Sequence, residues 1–159
     1  MTLCIRPARA GDARVIYDFI CELATYEREP QAVATSPARL QEQLASPAPP
    51  FRCLIAERDR AAVGFALYFR SYSTWTGRPG IYLEDLYVPE HLRGQGIGTR
   101  LLRELARIAL TEGCSRLELS VLDWNRPAIG VYEQLGARAM DGWTTYRFDG
   151  PALAALAEE

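Results

Sequence analysis

The chain has one histidine, His91, and so almost no material for a histidine-based metal site or a histidine-containing catalytic triad. Its four cysteines, Cys4, Cys21, Cys53 and Cys114, lie far apart and show no paired metal-ligand spacing. They read as small reduced core residues of a cytoplasmic protein, and no metal is expected. The longest nearly apolar stretch, "AAVGFALYF", is too short to span a membrane. The opening "MTLCIRPARAGDA" lacks the apolar core of a signal peptide. Charge of one sign is also missing. With 18 basic and 20 acidic residues the net charge is -2, which offers no basic field for gripping nucleic acid.

What is there fits a globular protein. Of 159 residues 48% are apolar, enough for a real core, and the length is most simply one domain over residues 1–159. No internal repeat or low-complexity segment is visible. "LCIRPA" reads as a short strand ended by Pro7, and "AGDARVIYDFICELATYERE" as a helix with Val15, Ile16, Phe19, Ile20 and Leu23 at helical spacing. "SPARLQEQLAS" fits a second helix, capped by Ser36 with Pro37 at its first position. "FRCLIAER" and "AVGFALYFRSY" flank a "DRA" turn, which predicts a hairpin, and "RPGIYLEDLYVPE" is a third strand closed by Pro89. A long helix then runs to about Leu110, followed by a strand in "RLELSVL", a short helix in "RPAIGVYEQLG" stopped by Gly136, a last strand in "WTTYRFDG" and a helical turn or two in "PALAALAEE". The predicted fold is α+β, a mixed and mostly antiparallel sheet flanked by helices, with one strand–helix–strand crossover.

Ahead of the long helix, "RGQGIG" places three glycines in five positions, Gly94, Gly96 and Gly98, although each glycine inside a helix costs roughly 1 kcal/mol against alanine. A Walker loop needs Gly-Lys-Ser/Thr, and here Gly98 precedes Thr99 and Arg100. A dinucleotide fingerprint needs Gly-x-Gly-x-x-Gly, whereas these glycines alternate. A third pattern, Arg/Gln-x-x-Gly-x-Gly/Ala, is met by Arg93, Gly96 and Gly98. In it, free N–H groups and the positive end of the helix dipole accept a pyrophosphate. On the hexapeptide alone, a tight strand-to-helix turn remains the alternative.

The context goes further. "IRPA..D" at the start, "YLEDLYV" before the loop and "LDWNRPAIGVYEQLGA" after it together resemble the GNAT superfamily of N-acetyltransferases over essentially the whole chain. Those segments look most like its spermidine/spermine (diamine) acetyltransferase branch, and "YSTWTGR", "YLEDLYV" and "LDWN" are closer still to the thialysine N-acetyltransferase members. The resemblance implies a twisted GNAT-like sheet and an acetyl-CoA-dependent transfer to a primary amine of a small molecule, such as thialysine or a related amino acid or diamine. It also implies a homodimer.

Residue by residue, the resemblance implies that Leu86, Tyr87 and Val88 pair their backbone with the pantetheine arm. Arg93, Gly94, Gln95, Gly96, Ile97, Gly98 and Thr99 would cradle the pyrophosphate, and Asn125 would hold the pantetheine. Tyr132 matches the general acid that returns a proton to the departing sulfur, its phenol pKa of about 10 being close enough to a thiol's. Taken alone, it fits equally a core tyrosine packed like Ile129 and Leu135. Glu84 matches the carboxylate that takes a proton from the ammonium, whose pKa is near 10.4. Asp85 points to the opposite face of a regular strand and joins the same pocket only if a β-bulge intervenes, a feature common in this strand across the superfamily. Its alternative is a solvated or ion-paired acid. Tyr26 and Glu27 match positions lining the amine site, with Trp75 and Trp143 as candidate walls that by themselves read as core.

One departure bears on the substrate. Polyamine-specific members carry an acid two residues before the tryptophan of this stretch, where Ser73 stands here. Its loss suits a shorter amine with its own carboxylate, such as thialysine, lysine or ornithine, over spermidine or spermine. Acetylation of a protein amine and a non-catalytic CoA-binding module are the remaining alternatives. Retention of Glu84, Asn125 and Tyr132 together argues against the second.

Overall fold

Five strands make one sheet in chain order. β1 (Cys4–Pro7), β2 (Arg52–Arg58), β3 (Ala61–Ser73) and β4 (Arg78–Tyr87) pair antiparallel in succession, and β5 (Leu117–Leu119) joins β4 in parallel. The computed structural model describes residues 2–158. They form two compact units, one running to Leu122 and the other starting at Asp123.

The first unit holds the sheet and three helices. α1 (Ala13–Tyr26) starts after a short 3-10 turn at Ala10–Asp12 and ends at Tyr26, three residues short of the predicted stretch at each end. α2 (Pro37–Ala45) begins as predicted, the Ser36 hydroxyl accepting from the Arg39 amide at 3.1 Å. α3 (Ile97–Thr111) is the crossover helix between β4 and β5. The hairpin turn is Asp59–Arg60, both with positive φ, a geometry that matches the twist of the strands it joins.

β2 and β3 are buried on both faces, which explains their nearly unbroken apolar sequence. Cys53, Ile55, Phe65 and Leu67 pack with Ile16, Phe19 and Leu23 of α1 and Leu40 of α2. Phe19 stacks on Phe65 with ring centroids 5.5 Å apart. Leu54, Ala56 and Ala66, at the alternate positions, are buried as well. α3 buries Ile97, Leu101, Leu102, Leu105 and Ala109 and touches strands of the sheet from β1 to β5. All four cysteines are free thiols. Cys53 and Cys114 are buried as expected of core residues, while Cys4, on edge strand β1, is exposed.

The second unit contains α4 (Arg126–Gln134) and α5 (Gly150–Ala157). Gly136, just past α4, has the left-handed φ of 102° that a helix stop asks of glycine. The strand predicted in "WTTYRFDG" does not form: residues 143–149 are irregular. Their β-formers are a local preference, and a strand also needs a neighbour to complete its ladder.

The opening "IRPA..D" has a structural role. The Arg6 guanidinium donates to both Asp12 carboxylate oxygens at 2.9 Å and to Glu57 at 3.0 Å. Asp12 also accepts the Arg9 amide at 2.7 Å, so one carboxylate ties β1 to the turn that starts α1. Arg6 holds the Asp12 carboxyl below its ordinary value of 3.8. A carboxyl lowered by folding contributes stability that is complete above its unfolded pKa and is lost as pH falls through the folded one. Asp12→Ala is therefore expected to lower stability by about 1.5–3 kcal/mol at pH 7, the usual worth of charged hydrogen bonds. In urea denaturation the gap to wild type should close as pH drops below 3.8. A gap that stays constant from pH 7 to pH 3 would remove the ion pair as its cause.

Candidate active site

The residues singled out around the glycine loop lie on one continuous path: the end of β4, the loop, and the start of α3. The path is shaped by a bulge. Leu67 of β3 pairs with Asp85, but the next residue, Tyr68, pairs with Leu83, leaving Glu84 as the extra residue. β4 thus carries the bulge on which a shared pocket for Glu84 and Asp85 depended. The ladder between β4 and β5 ends at Leu83–Leu119, so beyond the bulge β4 continues beside β3 alone among the described strands.

The bulge gathers carboxylates. Burial, then the charges of Glu84 and Glu27, push the Asp85 carboxyl up to about 7. Glu27, one residue past α1, is raised too, by burial first and then by Glu84. Desolvation and like charges both disfavour the ionised form, and here they act together. A half-buried carboxyl that titrates near neutrality can both accept a proton and meet a cation at physiological pH.

The glycines answer to different demands. Gly94 and Gly96 have φ of 77° and 79°, the left-handed region that side chains avoid. Gly96 is the N-cap of α3, and no side chain caps that helix start. Gly98 is different. It sits inside the first turn with ordinary helical geometry, and an added Cβ would meet only Val88 Cγ2, at 4.0 Å. Neither backbone nor packing asks for a small residue there. A ligand lying across the first turn of α3 would, and uncapped N–H groups at that turn suit an anion. The donor set therefore fits a pyrophosphate. Gln95 is fixed by Arg58, whose Nη1 donates to Oε1 at 2.7 Å. The sequence carried no signal for Arg58, 37 residues upstream on the hairpin.

Arg93 turns away from the phosphate-binding pattern it completes. Its Nε donates to the Val88 carbonyl at 2.9 Å, and its guanidinium carbon lies 4.5 Å from the Tyr26 ring centroid and 5.6 Å from that of Tyr87. These three residues, with Glu22, Thr25 and Glu90, line an open cavity of about 290 Å³. Tyr26, Glu27, Glu84, Asp85, Leu86 to Val88 and Arg93 to Thr99 thus all belong to this end of the first unit. Trp75 does not join them there. It is exposed in the β3–β4 turn, and Arg78 to Glu84 is roughly 20 Å of strand at 3.3 Å per residue. Ser73, in the same turn, is buried and accepts the Thr76 amide at 3.2 Å, a turn-capping role. Asn125, Tyr132 and Trp143 belong to the second unit. Asn125 is the buried N-cap of α4, its Oδ1 accepting from the Ala128 amide at 3.4 Å; Tyr132 is half-buried on that helix, and Trp143 is exposed.

Known proteins match this arrangement. The acetyltransferase (GNAT) family pattern covers residues 16–137. A pig (Sus scrofa) thialysine N-epsilon-acetyltransferase is 42% identical over 98% of both chains, and a cattle (Bos taurus) protein of the same name is 43% identical over 96% of both. Among solved structures, integron cassette protein VCH_CASS6 from the mobile metagenome of V. cholerae superposes with a TM-score of 0.82 at 29% identity, over 100% of this chain and 99% of that one.

Two substitutions probe the geometry. Gly98→Val should leave the fold intact and weaken acetyl-CoA binding by at least about tenfold, since its branched side chain occupies the ligand side of the first turn. Calorimetry giving wild-type affinity would take the ligand away from that turn. Asp85→Asn should raise the melting temperature at pH 8. A carboxyl raised to about 7 destabilises the folded state fully above that pH and not at all below its ordinary 3.8. The gain should accordingly shrink as pH falls from 7 to 4; a gain unchanged across that range would contradict the shift.

Proposed function

The chain belongs to the GNAT family of acetyltransferases, and we propose that its acceptor is the side-chain amine of a small amino acid such as thialysine, lysine or ornithine, with acetyl-CoA as donor. The observation that carries this reading is the bulge at Glu84, which sets a group of desolvated carboxylates one strand end away from an uncapped, glycine-flanked helix start. Carboxylates attract a cationic amine and can take its proton, and the helix start suits a pyrophosphate.

In this reading the backbone of Leu86, Tyr87 and Val88, on the part of β4 that has β3 alone beside it, holds the pantetheine arm. The N–H groups from Gly94 to Thr99 hold the pyrophosphate, and Asn125 holds the pantetheine amide. Acetyl-CoA supplies the acetyl group and the thiolate that leaves. Glu84 takes the proton that frees the amine lone pair, and Asp85 and Glu27 draw in the ammonium. Tyr26, Trp75 and Trp143 wall the acceptor. The Tyr132 hydroxyl gives its proton to the departing sulfur. Its residual phenolate is matched by the proton left on the carboxylate, so no net charge accumulates.

Ser73 supports the amino-acid acceptor. With a hydroxyl rather than a carboxylate there, the turn gives a second, distant ammonium nothing to pair with. We further place the protein in the cytoplasm as a homodimer. Among the described residues no helix is long and apolar enough to cross a membrane. α5 has Leu153 and Leu156 exposed, which a second copy would cover.

Thiol release from acetyl-CoA, measured across thialysine, lysine, ornithine and spermidine, tests the reading. An amino-acid amine should give the highest kcat/KM, and a clear preference for spermidine would overturn the assignment. In the same assay Tyr132→Phe should slow turnover by roughly 10²–10⁴-fold, the usual worth of a general acid, with acetyl-CoA affinity unchanged. Wild-type turnover in that variant would remove the tyrosine from proton transfer.

A further inference from the structure

We propose that Arg93 is a positioning residue for the acceptor side, holding Tyr26 and the end of α1 against β4, and that the loop's backbone rather than this side chain carries the phosphates. The inference rests on the reading in which Tyr26 and Glu27 line the amine site.

The guanidinium is already committed. Its Nε is fixed on the Val88 carbonyl at 2.9 Å, and its plane is shared between Tyr26, at 4.5 Å, and Tyr87, at 5.6 Å. A flat cation between two rings is held by the ring quadrupoles, and its one carbonyl bond fixes where it lies. Tyr87 is buried against Phe19, so the Arg93 stack has a rigid side on β4 and a second side on α1.

The end of α1 needs such a hold. The chain leaves the helix through Arg28, whose φ is +66°, in a turn closed by the Glu29 amide on the Ala24 carbonyl at 2.8 Å and the Arg28 amide on Thr25 at 3.1 Å. Glycine is the usual residue at this position, and a side chain there is unfavourable. Tyr26 and Glu27 are the two residues immediately before it. An unfavourable turn that carries two acceptor-site residues is fixed from outside by the Arg93–Tyr26 contact, and Arg93 directly precedes the glycine loop. The cofactor strand and the acceptor wall are thereby set in one register.

The test uses Arg93→Met and Arg93→Lys, neither of which presents the planar fork, with melting temperatures as a check on folding. Acetyl-CoA Kd by calorimetry should stay within about threefold of wild type, while amide exchange at Glu27 to Glu29 speeds up by about tenfold and amine KM rises by about tenfold. Tyr26→Phe keeps the ring and should keep the exchange rates of wild type. Acetyl-CoA affinity weakened tenfold or more in either Arg93 variant, or exchange unchanged in both, overturns the proposal. Calorimetry and exchange need no turnover. If wild type acetylates no amine at all, the functional reading fails while these two measurements still decide the role of Arg93.

Discussion

One extra residue in β4 sets the terms for everything around it. Up to Leu83 the strand has β3 on one side and β5 on the other; from Asp85 onward it is in a shifted register with β3 and has left β5 behind. A sheet tolerates this because the β3 ladder resumes and runs on to Tyr87 opposite Phe65, deep in the core. Without Glu84 as the unpaired residue, strict alternation would send one of two adjacent acids to each face. With it, Glu84 and Asp85 both act on the same small region, and Glu27 arrives from the end of α1.

The carboxylates of the first unit fall into two kinds. Asp12 and Glu112 are held by arginines, Arg6 for the first and Arg52 for the second, and both are lowered from their ordinary values. Each joins segments distant in sequence: Arg52 reaches Glu112 through two bonds of 2.7 and 2.8 Å, linking β2 to the end of α3. Asp85 and Glu27 have carboxylates as their charged neighbours and are raised. The first kind stabilises the fold and the second opposes it. Acids that weaken the folded state are explained by what they bind, and a cationic amine is the partner that reverses the sign of both perturbing effects.

The three glycines also divide. Two satisfy the backbone of the turn itself, since no side chain fits their φ comfortably. The third leaves space on a helix turn where the protein puts nothing. The loop is held from its two flanks, by Arg58 on Gln95 and by Arg93 on Val88 and Tyr26. A rigid loop with open N–H groups is pre-organised for an anion, and the family membership says which kind of cofactor brings one.

Local chemistry was legible in the residues. Ser36 and Pro37 announce α2, the apolar runs around Asp59 and Arg60 announce the hairpin, and the glycines ahead of an amphipathic stretch announce a loop entering a helix. Such signals survive because caps, turns and periodicity depend on neighbours within a few residues. The resemblance added candidate roles but no positions in space. Where two strands slip by one residue is set by how the whole of β3 packs, so the shared region of Glu84 and Asp85 could only be posed as a condition. The raised carboxyl of Asp85 follows from desolvation, a property of everything packed around it. The Arg93–Tyr26 contact joins residues far apart in the chain, and the β-formers of "WTTYRFDG" met no ladder. The sequence by itself determined which elements form and which chemical groups are available. Tertiary structure decided which of those groups lose water and face one another, because burial and register are set by contacts between distant segments rather than by any residue's neighbours in the chain.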